Sequence, residues 1–242
     1  MIRTHSTRAG EARAGYLRWP QGAAFAVLAL TLPACGGQPA GTPVPRVDAE
    51  RAAARALATS QVTAPSRVDF EWSLSEPDLR VAGRGVARLE PDKARLDMFL
   101  HNGTNVITIA LVYDEVRVPP RQMFEVLPAP PLLWAALGVF RPNDSMTLLG
   151  GEALGDDVVR LRYELDDGTE LWYRIDAGRV RHVEIRKDGH VLHRVTLKLE
   201  DGFEHPTEAT YRHISAFREL KFRIDSVKTV DTFPARIWDP RP

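Results

Sequence analysis

From Arg67 onward apolar residues fall on every second position, and that period of two constrains the fold more than any other feature of the chain. Val68, Phe70, Trp72 and Leu74 alternate with Arg67, Asp69, Glu71 and Ser73, the pattern of a strand with one buried face. The alternation recurs in Leu96, Met98 and Leu100, then in Ile107, Ile109, Leu111 and Tyr113, and again in Val159, Leu161, Tyr163 and Leu165. It continues through Leu171, Tyr173 and Ile175, through Val191, Val195, Leu197 and Leu199, and through Leu220, Phe222 and Ile224. Between these runs stand Asn102-Gly103, Asp167-Gly168, Asp188-Gly189 and Asp201-Gly202, dipeptides that supply the positive φ of tight hairpins. Neighbouring strands therefore pair antiparallel. Over residues 157–230 no gap is long enough for a crossover helix, which excludes parallel winding there. The expectation is a mainly β chain with a few helices.

Two segments read as helices. Asp48 is a plausible cap for the alanine-rich run from Ala49 to Ala58, with Glu50 in its first turn. The second runs within Leu127–Pro142, where Pro128, Pro130 and Pro131 suit a helix start, Gly138 weakens its end and Pro142 stops it. That spacing places Leu133, Trp134, Leu137 and Phe140 on one helical face. A closed sheet needs no such helix, whereas a meander curled into an open half-barrel leaves an apolar concave face to be covered. The helix is the candidate cover.

Ahead of this body, Arg3, Arg8, Arg13 and Arg18 precede an apolar run from Ala23 to Leu32. About ten residues span roughly 15 Å as a helix, half a bilayer core, so residues 1–34 read as a signal peptide. Leu32-Pro33-Ala34-Cys35 resembles the bacterial lipobox, which implies that Cys35 carries a lipid and anchors the chain to a membrane. By the same resemblance Gly36, not an aspartate, favours the outer membrane. Residues 35–46 hold three glycines and three prolines without apolar periodicity, a flexible tether. Residues 47–242 are expected to form one domain. The chain as a whole has 32 basic and 32 acidic residues. Removing residues 1–34, with four arginines and Glu11, leaves 28 against 31 and a net charge of −3. This argues against nucleic-acid binding and against a polybasic membrane footprint.

Several motifs then occur in a telling order. Gly83-Arg84-Gly85-Val86-Ala87-Arg88 precedes Pro91 and the strand Arg95–Phe99. Asn102-Gly103-Thr104 leads to the apolar strand ending at Tyr113, then Leu127–Pro131 runs into Leu133-Trp134, and the meander from Val158 to Val230 completes the order. Over residues 67–233 this resembles the LolA/LolB-like lipoprotein-carrier superfamily, most closely its anchored LolB-like branch. The resemblance implies an antiparallel sheet curled around helices, with a cavity for lipoprotein acyl chains. Soluble LolA-type carriers have an arginine directly before the proline to hold the lid; Glu90 stands there in this chain. LolB-like receptors carry a protruding leucine in a long loop, where this chain has only the short turn Leu100–Thr104.

Catalytic alternatives are weaker. His182, His190, His193, His205 and His213 cluster in the C-terminal meander but lack metal-ligand spacing, and read as solvated or cross-strand residues. No Gly-x-Ser-x-Gly element is present. Asp156-Asp157 and Asp166-Asp167 belong to hairpin turns, and Gly83-Arg84-Gly85 reads as a bulge or bend in a curled strand. The expectation is therefore a protein without enzymatic activity, cofactor or metal, held on the periplasmic face of the outer membrane. Phe70, Trp72, Leu96, Met98, Ile107, Ile109, Leu111 and Tyr113 are its candidate cavity residues. A hollow barrel and a filled one share the same alternation, so an acyl-chain binder and a tethered scaffold for an envelope assembly both stand.

Overall fold

The computed structural model describes residues 47–120 and 128–241; the leader, Cys35, the tether before residue 47 and Leu127 lie outside the described residues. Helix α1 (Ala49–Ser60) starts where the Asp48 carboxylate accepts the Arg51 amide at 3.0 Å, satisfying a donor that the first turn leaves over.

The described strands form one open antiparallel sheet. Strands β1 (Ser66–Glu76), β2 (Leu79–Glu90), β3 (Lys93–Leu100), β4 (Asn105–Val112) and β5 (Glu115–Arg117) make a first meander. After helix α2 (Pro130–Ala136) come β6 (Thr147–Gly155), β7 (Val158–Glu164), β8 (Glu170–Asp176) and β9 (Arg179–Lys187). The second meander ends with β10 (His190–Lys198), β11 (Glu208–His213) and β12 (Arg218–Thr229). The spatial order is β5-β4-β3-β2-β1-β12-β11-β10-β9-β8-β7-β6, so the two meanders meet where β1 pairs with β12 and the sheet stays unclosed between β5 and β6. Helix α1 packs on β6, β7 and β9, and α2 on β9, β10 and β11. This is the half-barrel architecture read from the alternation.

The hairpins follow their turn chemistry. Asp188 and Gly189 have φ of +50° and +79°, the pair of positive angles that a two-residue primed turn requires. Ala177-Gly178 adopts the same pair at +48° and +82°, although alanine gives no such signal. The turn between β4 and β5 corrects an expectation: Tyr113 has φ +54° and is 58 % exposed. It has left the strand, because the chain reverses at Tyr113-Asp114 to begin β5.

The cover helix is also shorter than expected. Gly138 takes φ +84°, the Val139 amide bonds to Trp134 O at 3.0 Å and the Gly138 amide to Ala135 O at 2.8 Å. These two bonds are the Schellman stop, which glycine favours. Phe140 therefore lies beyond the helix, on extended chain, where its amide donates to Ser60 Oγ at 2.8 Å.

Nor is Gly83-Arg84-Gly85 a bulge, since β2 keeps continuous register with both β1 and β3. The glycines instead admit rings. A Cβ on Gly85 would lie 2.3 Å from the Phe70 ring, and one on Gly83 would lie 1.9 Å from Phe99 O and 3.0 Å from Trp72 Nε1. On the opposite face of the sheet, buried Asp97 accepts from Arg88, Arg95 and Thr108 at 2.5, 2.9 and 2.9 Å. Arg95 also donates to Ile237 O at 2.7 Å, so the C-terminal segment covers this buried charge rather than leaving it unpaired.

Gly85→Ala should lower stability by about 1–3 kcal/mol, the range for overpacking a filled site. In a Phe70→Ala background the same change should cost less, because the obstructing ring is gone. Urea midpoints of the two singles and the double variant measure that coupling.

Candidate functional site

The inner face is not uniformly packed. Below α1 and α2, large side chains fill it: Phe140, Tyr163 and Tyr173 contact one another edge to face or tilted, with centroids 4.7–6.4 Å apart. Trp134 is fully buried and spends its indole N–H on Tyr113 O at 3.1 Å. Arg141 follows the helix, lies over the Trp134 ring at 5.0 Å and donates to Pro91 O at 3.2 Å. That contact ties the end of α2 to the β2–β3 turn, beside Glu90.

Spanning the β1–β12 seam lies a cavity of about 240 Å³. Trp72 and Leu74 of β1, Val81 of β2, and Leu96 and Met98 of β3 form part of its wall. Val106, Ile107 and Ile109 of β4 continue it, and Leu220 and Phe222 of β12 complete the sheet side. Pro128 and Leu133 approach from the α2 side. Its floor is buried and apolar: Leu96, Met98 and Ile109 are at most 2 % exposed. Towards the β1–β2 and β11–β12 turns, Leu74, Val81 and Leu220 are only half-buried, which marks the end nearer solvent.

The polar side chains on the wall are already engaged. Trp72 Nε1 donates to Arg84 O at 3.1 Å. The Tyr211 hydroxyl meets His193 Nδ1 at 3.0 Å, and burial pushes its pKa up to about 12, so it stays neutral. Arg218 is paired with Glu76. Beyond Tyr211, His193 and His213 face each other with ring centroids 4.4 Å apart. Burial lowers both imidazole pKa values; His213 adds to the lowering at His193, and Arg218 to that at His213. An apolar wall without a free nucleophile or base suits the holding of an apolar group. Among the described residues, no group of three or more His, Cys, Asp or Glu side chains could hold a metal, and no helix is long and apolar enough to cross a membrane.

The structure sorts the candidate residues. Trp72, Leu96, Met98, Ile107 and Ile109 come together on the wall, with Leu133 opposite. Phe70 is buried against Phe222 with centroids 5.2 Å apart, and Leu111 is fully buried away from the cavity. Tyr113 is outside it for the reason given above. Leu137 lines a separate polar groove with Gly138 and His205, while Trp134 and Phe140 belong to the filled side. Leu220, Phe222, Tyr211 and Arg218 were missed. The alternation of Leu220 and Phe222 was legible as strand and that of Tyr211 was not, and nothing local says that β12 lies beside β1, some 150 residues earlier.

No protein-family model and no curated protein sequence matches the chain. Solved structures do. The chain is similar to a LolA superfamily protein from Nitrosomonas europaea, with a TM-score of 0.52 and 15 % identity, covering 79 % of this chain and 97 % of that one. It is similar also to a putative outer membrane lipoprotein-sorting protein domain from Vibrio parahaemolyticus, with a TM-score of 0.53 and 12 % identity, covering 78 % and 94 %. At such identities the likeness is one of fold alone.

The imidazole pair has a pH signature. Folded pKa values below the ordinary 6.5 mean that the unfolded chain binds more protons just below that value, so stability falls as pH drops through it. Glu184, held at about 2 against an ordinary 4.5, adds loss only at lower pH. In the double variant His193→Gln/His213→Gln the urea midpoint should fall less steeply between pH 6.5 and 5, with His205, also lowered by burial, supplying the remainder.

Proposed function

We propose that this protein is a lipid-anchored component of the bacterial cell envelope that takes an acyl chain, of a lipoprotein or a lipid, into the apolar cavity between β1–β4, β12 and Leu133. The observation that carries the reading is the cavity itself, about 240 Å³ with an apolar floor. For comparison, an apolar cavity of about 150 Å³ suffices to bind benzene. Each methylene buried contributes about 0.8 kcal/mol, so part of one chain supplies useful affinity without polar recognition. The likeness in fold to a putative lipoprotein-sorting domain supports the same reading. Attachment through Cys35 to the periplasmic face of the outer membrane, in the manner of the LolB-like branch, completes the proposal. Such an anchor keeps the cavity near its lipidic ligands, and no catalytic group is invoked.

The filled side, with Phe140, Tyr163 and Tyr173 packed together, favours a second reading, a tethered scaffold in an envelope assembly. Substitution separates the two. Met98→Trp or Ile109→Trp should weaken uptake of a fluorescent fatty acid while changing the urea midpoint little, because the new ring enters space. In a packed interior the same changes cost about 1–3 kcal/mol. A wild-type protein that takes up no probe, with both variants severely destabilised, leaves the scaffold.

The anchor has its own test. Cys35→Ser should abolish labelling by a palmitate analogue and leave unprocessed precursor; undiminished labelling removes the lipoprotein reading.

A further inference from the structure

The outer face of the second meander carries an arrangement that neither the fold nor the cavity explains. Arg160 of β7 stands directly opposite Arg174 of β8, which stands directly opposite His182 of β9. The like charges of Arg160 and Arg174, directly opposite on one face, repel and destabilise the sheet. Two members of this row have carboxylate partners: Arg160 donates to Glu152 at 3.0 Å, and His182 Nε2 lies 3.0 Å from Glu184 Oε1. Arg174, between them, has none. It is exposed, and among the described residues nothing gives it a hydrogen bond or an ion pair.

The neighbouring acids are committed elsewhere. Glu184 already accepts from Arg186 at 2.7 Å and Arg194 at 2.9 Å. Asp176 lies 3.4 Å from Arg181, and Glu170 accepts the Trp172 indole N–H at 2.5 Å. The Trp172 ring meanwhile gathers guanidinium groups, with Arg186 at 4.4 Å, Arg160 at 5.0 Å and Arg162 at 5.8 Å from its centroid. Stacking of this kind fixes a guanidinium without consuming all of its N–H donors. The row lines a depression of about 310 Å³ together with Leu154, Trp172, Tyr173, Arg186 and the Glu184 carboxylate, which Arg186, Arg194 and His182 hold.

We propose that this depression is a binding site for a phosphate group, held between Arg160 and Arg174. A phosphate carries more negative charge than one carboxylate and has oxygens enough to accept from both guanidinium groups at once. Its negative charge offsets the repulsion along the row. The site lies on the opposite face of the sheet from the cavity and does not depend on what the cavity holds. A free phosphate and a phospholipid headgroup share this chemistry.

Thermal melts and titration calorimetry of the protein with inorganic phosphate and with monomeric dihexanoyl phosphatidylglycerol test the assignment. Phosphate should raise the melting temperature above that in chloride at equal ionic strength. Arg174→Gln should weaken binding by about tenfold, the loss of one charge-assisted contact, without lowering the melting temperature of the ligand-free protein. Arg160→Gln should weaken binding as well. Tighter binding of the lipid analogue makes the headgroup the source, and tighter binding of inorganic phosphate makes it the free anion. No phosphate-specific stabilisation, or undiminished binding by Arg174→Gln, overturns the site. Equally tight binding of oligoglutamate at the same arginines overturns phosphate in favour of an acidic peptide.

Discussion

The pairing of β1 with β12 is the interaction on which the rest of the structure depends. It joins two meanders that would otherwise be separate sheets, and it sets Leu220 and Phe222 beside Leu74 and Trp72. Of the ion pairs that cross the seam, Arg223 with Glu71 is too exposed to supply much of its stability, while Arg218 with Glu76 is largely buried at the cavity's edge. Alternation does more: Val68, Phe70 and Trp72 meet Val227, Ile224 and Phe222 on the inner face, and a slip of one residue would turn every one of them outward. Closing so long a loop costs entropy that grows only slowly with length, but such non-local pairing makes for slow folding.

Side-chain size then decides where the inner face is hollow. Next to the seam β2 presents Gly83, Gly85 and Ala87 inward, and the Phe70 and Trp72 rings lean into that space without filling what lies beyond. Across the sheet, β7 and β8 present Leu161, Tyr163, Leu171, Tyr173 and Ile175, all buried, with Phe140 set on Tyr163 and Tyr173. A filled core and a cavity thus share one sheet. The filled half supplies rigidity, and the hollow half keeps apolar surface available to a ligand at the cost of the packing it forgoes.

How much of this was legible follows from how local each cause is. Strands β1, β3, β4, β7, β8, β10 and β12 were, because alternation is a property of a few neighbours, and so was the α1 cap at Asp48; β5, β6, β9 and β11 gave no such run. The end of α2 was misplaced by a few residues because an apolar period continued past Gly138, whose left-handed turn overrode it. Tyr113 kept the parity of its strand and lost the strand. The cavity wall from β12 and the row Arg160, Arg174, His182 were not legible at all. Both are made by cross-strand register, which joins residues that no local pattern connects.

The central claim, that the hollow half is where an acyl chain sits, is tested most directly by methyl NMR during titration with a fatty acid. The account predicts shifts confined to the methyl groups of Met98, Ile107, Ile109, Leu133 and Leu220, with those of Leu161, Leu171 and Ile175 unmoved. Shifts centred on the filled half, or none at saturating ligand, would contradict it.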